Sequence, residues 1–186
     1  MKRLTTPEFS GKKRARGFSL IEFGIVVALV AGGALFVYPV FSDRNDSATV
    51  SAEAHNFTMM AAAAQAKWRV QGGFEGISDA TLISNGVVPT SMIVEDRIET
   101  RWNTQVTVAP ASLGAGLDAA NFAYSVPRKS CSDFIVQAGA SAAQAAVEGS
   151  IVKSAATSQL SVADLGNACS SAASDPVEVE LWVGRW

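Results

Sequence analysis

From Phe23 to Phe41 the chain carries no formal charge. In a helix rising about 1.5 Å per residue, that run is roughly 28 Å long, about one bilayer core. Beyond Asp46 the pattern turns from uniform to periodic. Val50, Ala54, Phe57, Ala61, Ala64 and Trp68 recur at three- and four-residue steps through a stretch rich in Ala and Met, the stripe of an amphipathic helix built from strong helix formers. Gly72-Gly73 stops it, and Lys67 and Arg69 stand in the last turn, where the helix dipole favours cations. Together the two patterns predict one helix from about Ser19 to about Val70, half uniformly apolar and half amphipathic. Gly32, Gly33 and Pro39 interrupt the first half, as a kink or as a segment able to stretch.

Downstream the period shortens. "SDATLISNG" predicts a short helix with Ser78 as its N-cap and Gly86 just past its end. "RWNTQVTVAP" alternates and is β-branched, predicting a strand from Arg101 to Val108, and "NFAYSVP" a second strand broken at Pro127. "SDFIVQAGASAAQA" reads as a short helix after Cys131. "AAVEGSIVKS" is a hairpin turning at Glu148-Gly149. "SVADLGNAC" is a helical turn starting near Ser161 or Asp164. "DPVEVELWV" alternates acid and apolar from Pro176 to Val183, the clearest strand in the chain. Gly114-Ala115-Gly116 marks a loop, "EDRIE" at Glu95 to Glu99 a solvated face. The expected fold class is α+β: a long N-terminal helix packed through its outer half on an antiparallel sheet.

Charge divides the chain again. Lys2, Arg3, Lys12, Lys13, Arg14 and Arg16 precede Gly17, against Glu8 alone, while the whole chain is formally -2 and 48% hydrophobic. The body is therefore acidic, and bulk charge excludes a nucleic-acid binder. Next to an apolar helix the basic run "KKRAR" fixes topology, leaving the leader cytoplasmic and everything after Asp43 on the far side. Cys131 and Cys169 cannot close a zinc site alone, and His55 is an ordinary helix residue without a second ligand nearby. An exported domain would join the two cysteines in one disulfide; a cytosolic one would keep two thiols.

Three fates are open to the N-terminal segment: a signal peptide cut near "AGGA" at Ala31 to Ala34, an unprocessed single-pass anchor, or cleavage ahead of the apolar run. "RGFSLIEFGIVVALVAGG" resembles the type IV prepilin cleavage motif. It has a basic leader, Gly17 before the cut, Phe18 after it, and Glu22 as the fifth mature residue. Pro39 also falls where many pilins carry a proline. "FAYSVPRKSC" followed by Cys169 shortly before a final strand is similar to the type IVb pilins of conjugative thin pili and the bundle-forming kind. The resemblance implies removal of residues 1–17 by a prepilin peptidase and methylation of the Phe18 amine. It further implies a transmembrane and assembly helix over 18–41, its exposed half over 42–71, and a globular domain over 72–186. The fold would be the ladle of pilins, with a Cys131–Cys169 disulfide stapling a late loop.

Glu22 is the one carboxylate near the start of the apolar run, and a charge in hydrocarbon is costly. After cleavage the Phe18 amine remains cationic. In a filament the amine of one subunit can approach the Glu22 carboxylate of its neighbour, so that each compensates the other; the alternative is snorkelling to the headgroups.

Catalytic constellations are missing from the sequence: there is no phosphate-binding glycine loop, no HExxH, no G-x-S-x-G and no CxxC. Trp68, Trp102, Trp182 and Trp186 are read as core or rim packing rather than as a sugar platform. The expected function is a structural one, without enzyme activity, cofactor or metal. The chain would be an inner-membrane precursor that polymerises with itself, through the pilus assembly machinery, into an extracellular filament for adhesion, aggregation or conjugation, with a host or recipient-cell receptor as a further partner. A minor pilin or type II secretion pseudopilin shares the same motif. An uncleaved membrane-anchored binding module is the reading from another class.

Overall fold

The computed structural model describes residues 20–184 except Ala115, with the backbone alone at 20, 22 and 32–45. The chain divides into two compact units, residues 1–42 and 43–186. Helix α1 spans Leu20–Trp68, 49 residues, close to the expected bounds. A 3-10 turn, Arg69–Gln71, follows it, and Gly72 at φ 79° supplies the left-handed residue that ends it.

In the second unit the stripe predicted on α1 is the buried one. Val50, Ala54, Phe57, Ala61, Ala64 and Trp68 all lie in the core. They meet an antiparallel sheet of seven strands: β1 (Ile93–Val94), β2 (Arg97–Glu99), β3 (Gln105–Ala111), β4 (Ala119–Val126), β5 (Gln144–Val147), β6 (Ser150–Lys153) and β7 (Val177–Gly184), in the order β1-β2-β3-β4-β7-β5-β6. β7 thus inserts between β4 and β5, so the last strand closes the middle of the sheet. The pleat sends Phe122 and Tyr124 of β4 and Val179, Leu181 and Val183 of β7 to the helix side. There Phe57 stands edge-on to Phe122 and Tyr124, with ring centroids 5.6 and 6.1 Å apart. The opposite face of the same strands carries Asn121, Ala123, Ser125, Glu178, Glu180 and Trp182, exposed or half-buried.

Three shorter helices complete the body: α2 (Asp79–Ser84), α3 (Arg128–Ala138) and α4 (Val162–Ser171). Ser78 caps α2 through a capping box with Thr81, and Asp79 Oδ1 accepts the Val108 amide of β3 at 2.6 Å, which ties α2 to the sheet. Ser161 caps α4. The β5–β6 turn places Glu148 and Gly149 at φ 45° and 78°, the left-handed pair that a tight hairpin needs.

Three expectations are corrected. The strand foreseen from Arg101 begins at Gln105. Residues 100–104 form a turn, with Asn103 at φ 56° and the Thr100 amide donating to the Thr104 carbonyl at 2.9 Å. The helix foreseen after Cys131 begins earlier, at Arg128, and stops at Ala138; Gln144 already belongs to β5, because the Ala143 amide is drawn to the Trp182 carbonyl at 2.7 Å. "EDRIE" is not simply a solvated face. Glu95 and Asp96 turn a hairpin in left-handed geometry (φ 48° and 63°), and Ile98 points into the core.

Candidate functional site

Gly17 and Phe18, with the rest of the basic leader, lie outside the described residues, as does Trp186. Glu22 is placed on α1 by its backbone, and its side chain lies outside the description. Its neighbours show the environment. Ile21 is 74% exposed and Leu29 71%, and Phe23, Ile25, Val26, Val27 and Val30 are exposed as well. Ile21, Gly24, Ile25 and Ala28 line one shallow apolar groove at helical spacing. A Cβ on Gly24 would meet nothing within 4 Å, so no packing within the described chain requires a glycine there. Gly24 and Ala28 are the small positions of this isoleucine-lined face, and small residues let a second helix approach closely. Among the described residues no helix is long and apolar enough to cross a membrane; the uncharged run continues through positions 32–41, whose side chains are outside the description.

The body holds the second candidate feature. Cys131 on α3 and Cys169 on α4, both buried, are joined in a disulfide with their Cα atoms 5.9 Å apart. The bond closes a loop that contains the β5–β6 hairpin. Beyond it, the segment after α4 is held by two charged side chains. Arg128 Nη2 donates to the carbonyls of Ala172 (2.8 Å) and Ser174 (3.1 Å). Glu148 accepts the Ser174 hydroxyl and the amides of Ala173 and Ser174. The Ser174 hydroxyl first, and then the two amides, hold the Glu148 carboxyl below the usual carboxylate range.

Two buried ions escaped the sequence reading. Glu53, on α1 and fully buried, accepts the Arg101 amide at 3.0 Å, with the Arg101 guanidinium at 3.8 Å. Its second oxygen makes no hydrogen bond. Burial pushes its carboxyl above the usual range, against the opposing pull of the Arg101 amide, the Arg101 charge and Asn56. Burial, and then the Glu53 charge, push the Tyr124 phenol well up, so it stays protonated. Lys153, 8% exposed, donates through Nζ to the carbonyls of Gly139 (2.7 Å) and Ala142 (2.5 Å), beyond the end of α3, and burial lowers its amine. His55 is exposed on α1. Among the described residues no group of three or more His, Cys, Asp or Glu could hold a metal ion.

An antiparallel sheet closed by its last strand and packed on α1, with a disulfide between α3 and α4, makes an α+β body compatible with a pilin-like fold. Residues 47–179 match the family model described as PilS N terminal, and the chain belongs to that pilin-related family. No curated protein and no solved structure matches it.

Proposed function

We propose that this chain is the precursor of a type IVb pilus subunit. A prepilin peptidase cuts it after Gly17, the new Phe18 amine is methylated, and the apolar part of α1 first anchors the protein in the inner membrane and then bundles with copies of itself in an extracellular filament. The observation that carries this reading is the groove of Ile21, Gly24, Ile25 and Ala28 on a helix whose described apolar side chains in this stretch are largely exposed. The family match supports a pilus role for the body. The motif around Gly17 and Glu22, which lies outside the matched residues, supports the processing. Filaments of this chain would serve adhesion, aggregation or conjugation.

Intact-mass analysis of the mature protein tests the reading. The expected chain starts at Phe18 and carries one added methyl group. A mature chain that still starts at Met1 is an anchored module instead, and a start near Ala34 is a secreted one; either removes the pilus proposal. A minor pilin would share the cut and differ only in its low abundance in sheared filaments.

A further inference from the structure

We propose that the sheet face opposite the helices binds carbohydrate, taking a short chain of neutral or amino sugars with Trp182 as its stacking platform. On β7 the pleat alternates Val179, Leu181 and Val183 into the core with Glu178, Glu180 and Trp182 on the other side. Trp182 is half-buried and does not pack on the core cluster, unlike Trp68, which is part of it, and Trp102, which packs against it through Phe134. Its neighbours across the sheet are amides on both sides: Asn121 of β4 and Gln144 of β5 stand directly opposite it in register. Adjacent strands lie about 4.8 Å apart, so an indole flanked by two amides forms one continuous row.

That row has the chemistry of a pyranose site. The axial C–H face of a sugar ring stacks on an indole, while the equatorial hydroxyls radiate in the ring plane and need both donors and acceptors beside it. Asn121 Nδ2 already donates to Glu180 Oε1 at 2.8 Å, which fixes that carboxylate beside the indole; Asn121 Oδ1 is itself buried, so the half-buried Gln144 amide and the Glu180 carboxylate are the polar groups this row offers a sugar. Further along the same face, a cleft of about 360 Å³ is lined by Gln105, Thr107, Ser125, Ser174 and Glu178, a set of hydroxyls, an amide and a carboxylate over the small floor of Ala123. Four residue steps along β7 lead from Trp182 to Glu178, about 13 Å, which is the length of two or three linked pyranose rings.

The face also excludes alternatives. It offers one aromatic among alanines and carboxylates, whereas the centre of a protein–protein interface is depleted in charge and rich in large apolar groups. Glu178 and Glu180 form no ion pair among the described residues. Their charge repels sialylated or phosphorylated glycans and tolerates, or attracts, amino sugars.

Saturation-transfer NMR on the full chain, held in a detergent without a sugar headgroup, tests this with chitotriose, maltotriose and sialyllactose as probes. We expect transfer to the ring protons of at least one neutral trisaccharide and none to sialyllactose. Trp182→Ala should weaken binding by about tenfold or more, and Trp182→Tyr, which keeps a flat ring and the fold, by only about threefold. Gln144→Ala should weaken it as well, and Glu178→Gln with Glu180→Gln should admit sialyllactose. Lack of transfer to both neutral probes, or binding indifferent to Trp182→Ala, would overturn the proposal. So would a Trp182 that reacts with N-bromosuccinimide in the dispersed chain and resists it in filaments without sugar, which would make this face a contact between copies. The uncleaved chain serves equally in the NMR assay, so a negative result there leaves the pilus reading standing.

Discussion

The carboxylate of Glu53 receives the backbone amide of Arg101 at 3.0 Å, across 48 residues of sequence, inside the core of the body. One oxygen is thereby satisfied and the other is not. The contact pins the turn between β2 and β3 to α1, at the cost of burying an ionisable group.

The first prediction follows from the direction of the Glu53 shift. Burial raises its carboxyl above the ordinary value. Between that ordinary value and the raised one, the folded chain holds a proton that the unfolded chain has lost, so stability falls as pH rises through the window. Glu53→Gln keeps the acceptor for the Arg101 amide and removes the charge. At pH 7 it should be at least as stable as the parent, with the difference vanishing near pH 4, where both chains are neutral at this site. Glu53→Leu, which orphans the Arg101 amide, should cost about 1–3 kcal/mol at any pH. Thermal unfolding of the three chains between pH 4 and 8 decides it. A Glu53→Gln chain that is clearly less stable at pH 7, and equally so at pH 4, would show that the shape of the carboxylate matters and its charge does not.

Lys153 gives a second prediction of opposite character. Its ammonium supplies two hydrogen bonds to carbonyls beyond the end of α3, of which the Gly139 carbonyl also accepts the Ala142 amide at 3.3 Å. Lys153→Met fills the same space and relieves a buried charge, but leaves the carbonyls of Gly139 and Ala142 without that donor. The Gly139 carbonyl keeps the Ala142 amide, whereas an acceptor left unsatisfied in the core costs about 1–3 kcal/mol, so a net loss of stability is expected, set mainly by Ala142. Denaturant titration measures it. Local exchange of the Gly139 to Ala143 amides should rise first, because the Ala143 amide bonds to Trp182 at the end of this segment.

The cysteine pair supports a third. The bond spans 38 residues, and in the chain-entropy model closing a loop of that length removes roughly 4 kcal/mol from the unfolded state. That is a large share of the stability of a small domain. Cys131→Ser should therefore lower the steady-state level of the exported protein sharply. Alkylation of the purified parent without reductant should modify neither cysteine; two reactive thiols would refute the bond.

What the sequence revealed and what it hid have separate physical causes. The α1 stripe and strand β7 were legible because burial there repeats with the period of the element: Val50 to Trp68 at helical steps, Val177 to Val183 at alternate residues. The β1–β2 hairpin was not, because its strands are two and three residues long and its turn uses Glu95 and Asp96 in a conformation usually marked by Gly or Asn. Glu53 and Lys153 were missed because each owes its burial to partners far away in sequence, Arg101 in one case and Gly139 in the other. A charged residue beside a buried stripe looks solvated until tertiary contacts are known. The processing proposed at Gly17, Phe18 and Glu22 is the reverse case: it rests on sequence register alone.

Glu22 is therefore where a mutation says most. If its carboxylate only reaches the headgroups, Glu22→Gln should be mild, because a neutral amide is easier to bury. If it compensates the Phe18 amine of a neighbouring subunit, the substitution leaves an ammonium without its counter-charge where water is scarce. Breaking a buried pair from one side costs about 3–5 kcal/mol, and a helical filament repeats that cost at every subunit. Beside it Ile21, Gly24, Ile25 and Ala28 line one exposed apolar groove, which a neighbouring helix would have to cover to make the contact dry. The Glu22→Gln chain should still be inserted and still be cut after Gly17, since the leader and the residues flanking the cut are unchanged. It should nevertheless yield few or no filaments. A sheared-surface fraction run beside a whole-cell immunoblot separates these outcomes. Normal filament yield from a fully cleaved Glu22→Gln chain would show that the carboxylate is not the assembly contact, and the pairing with Phe18 would have to be abandoned.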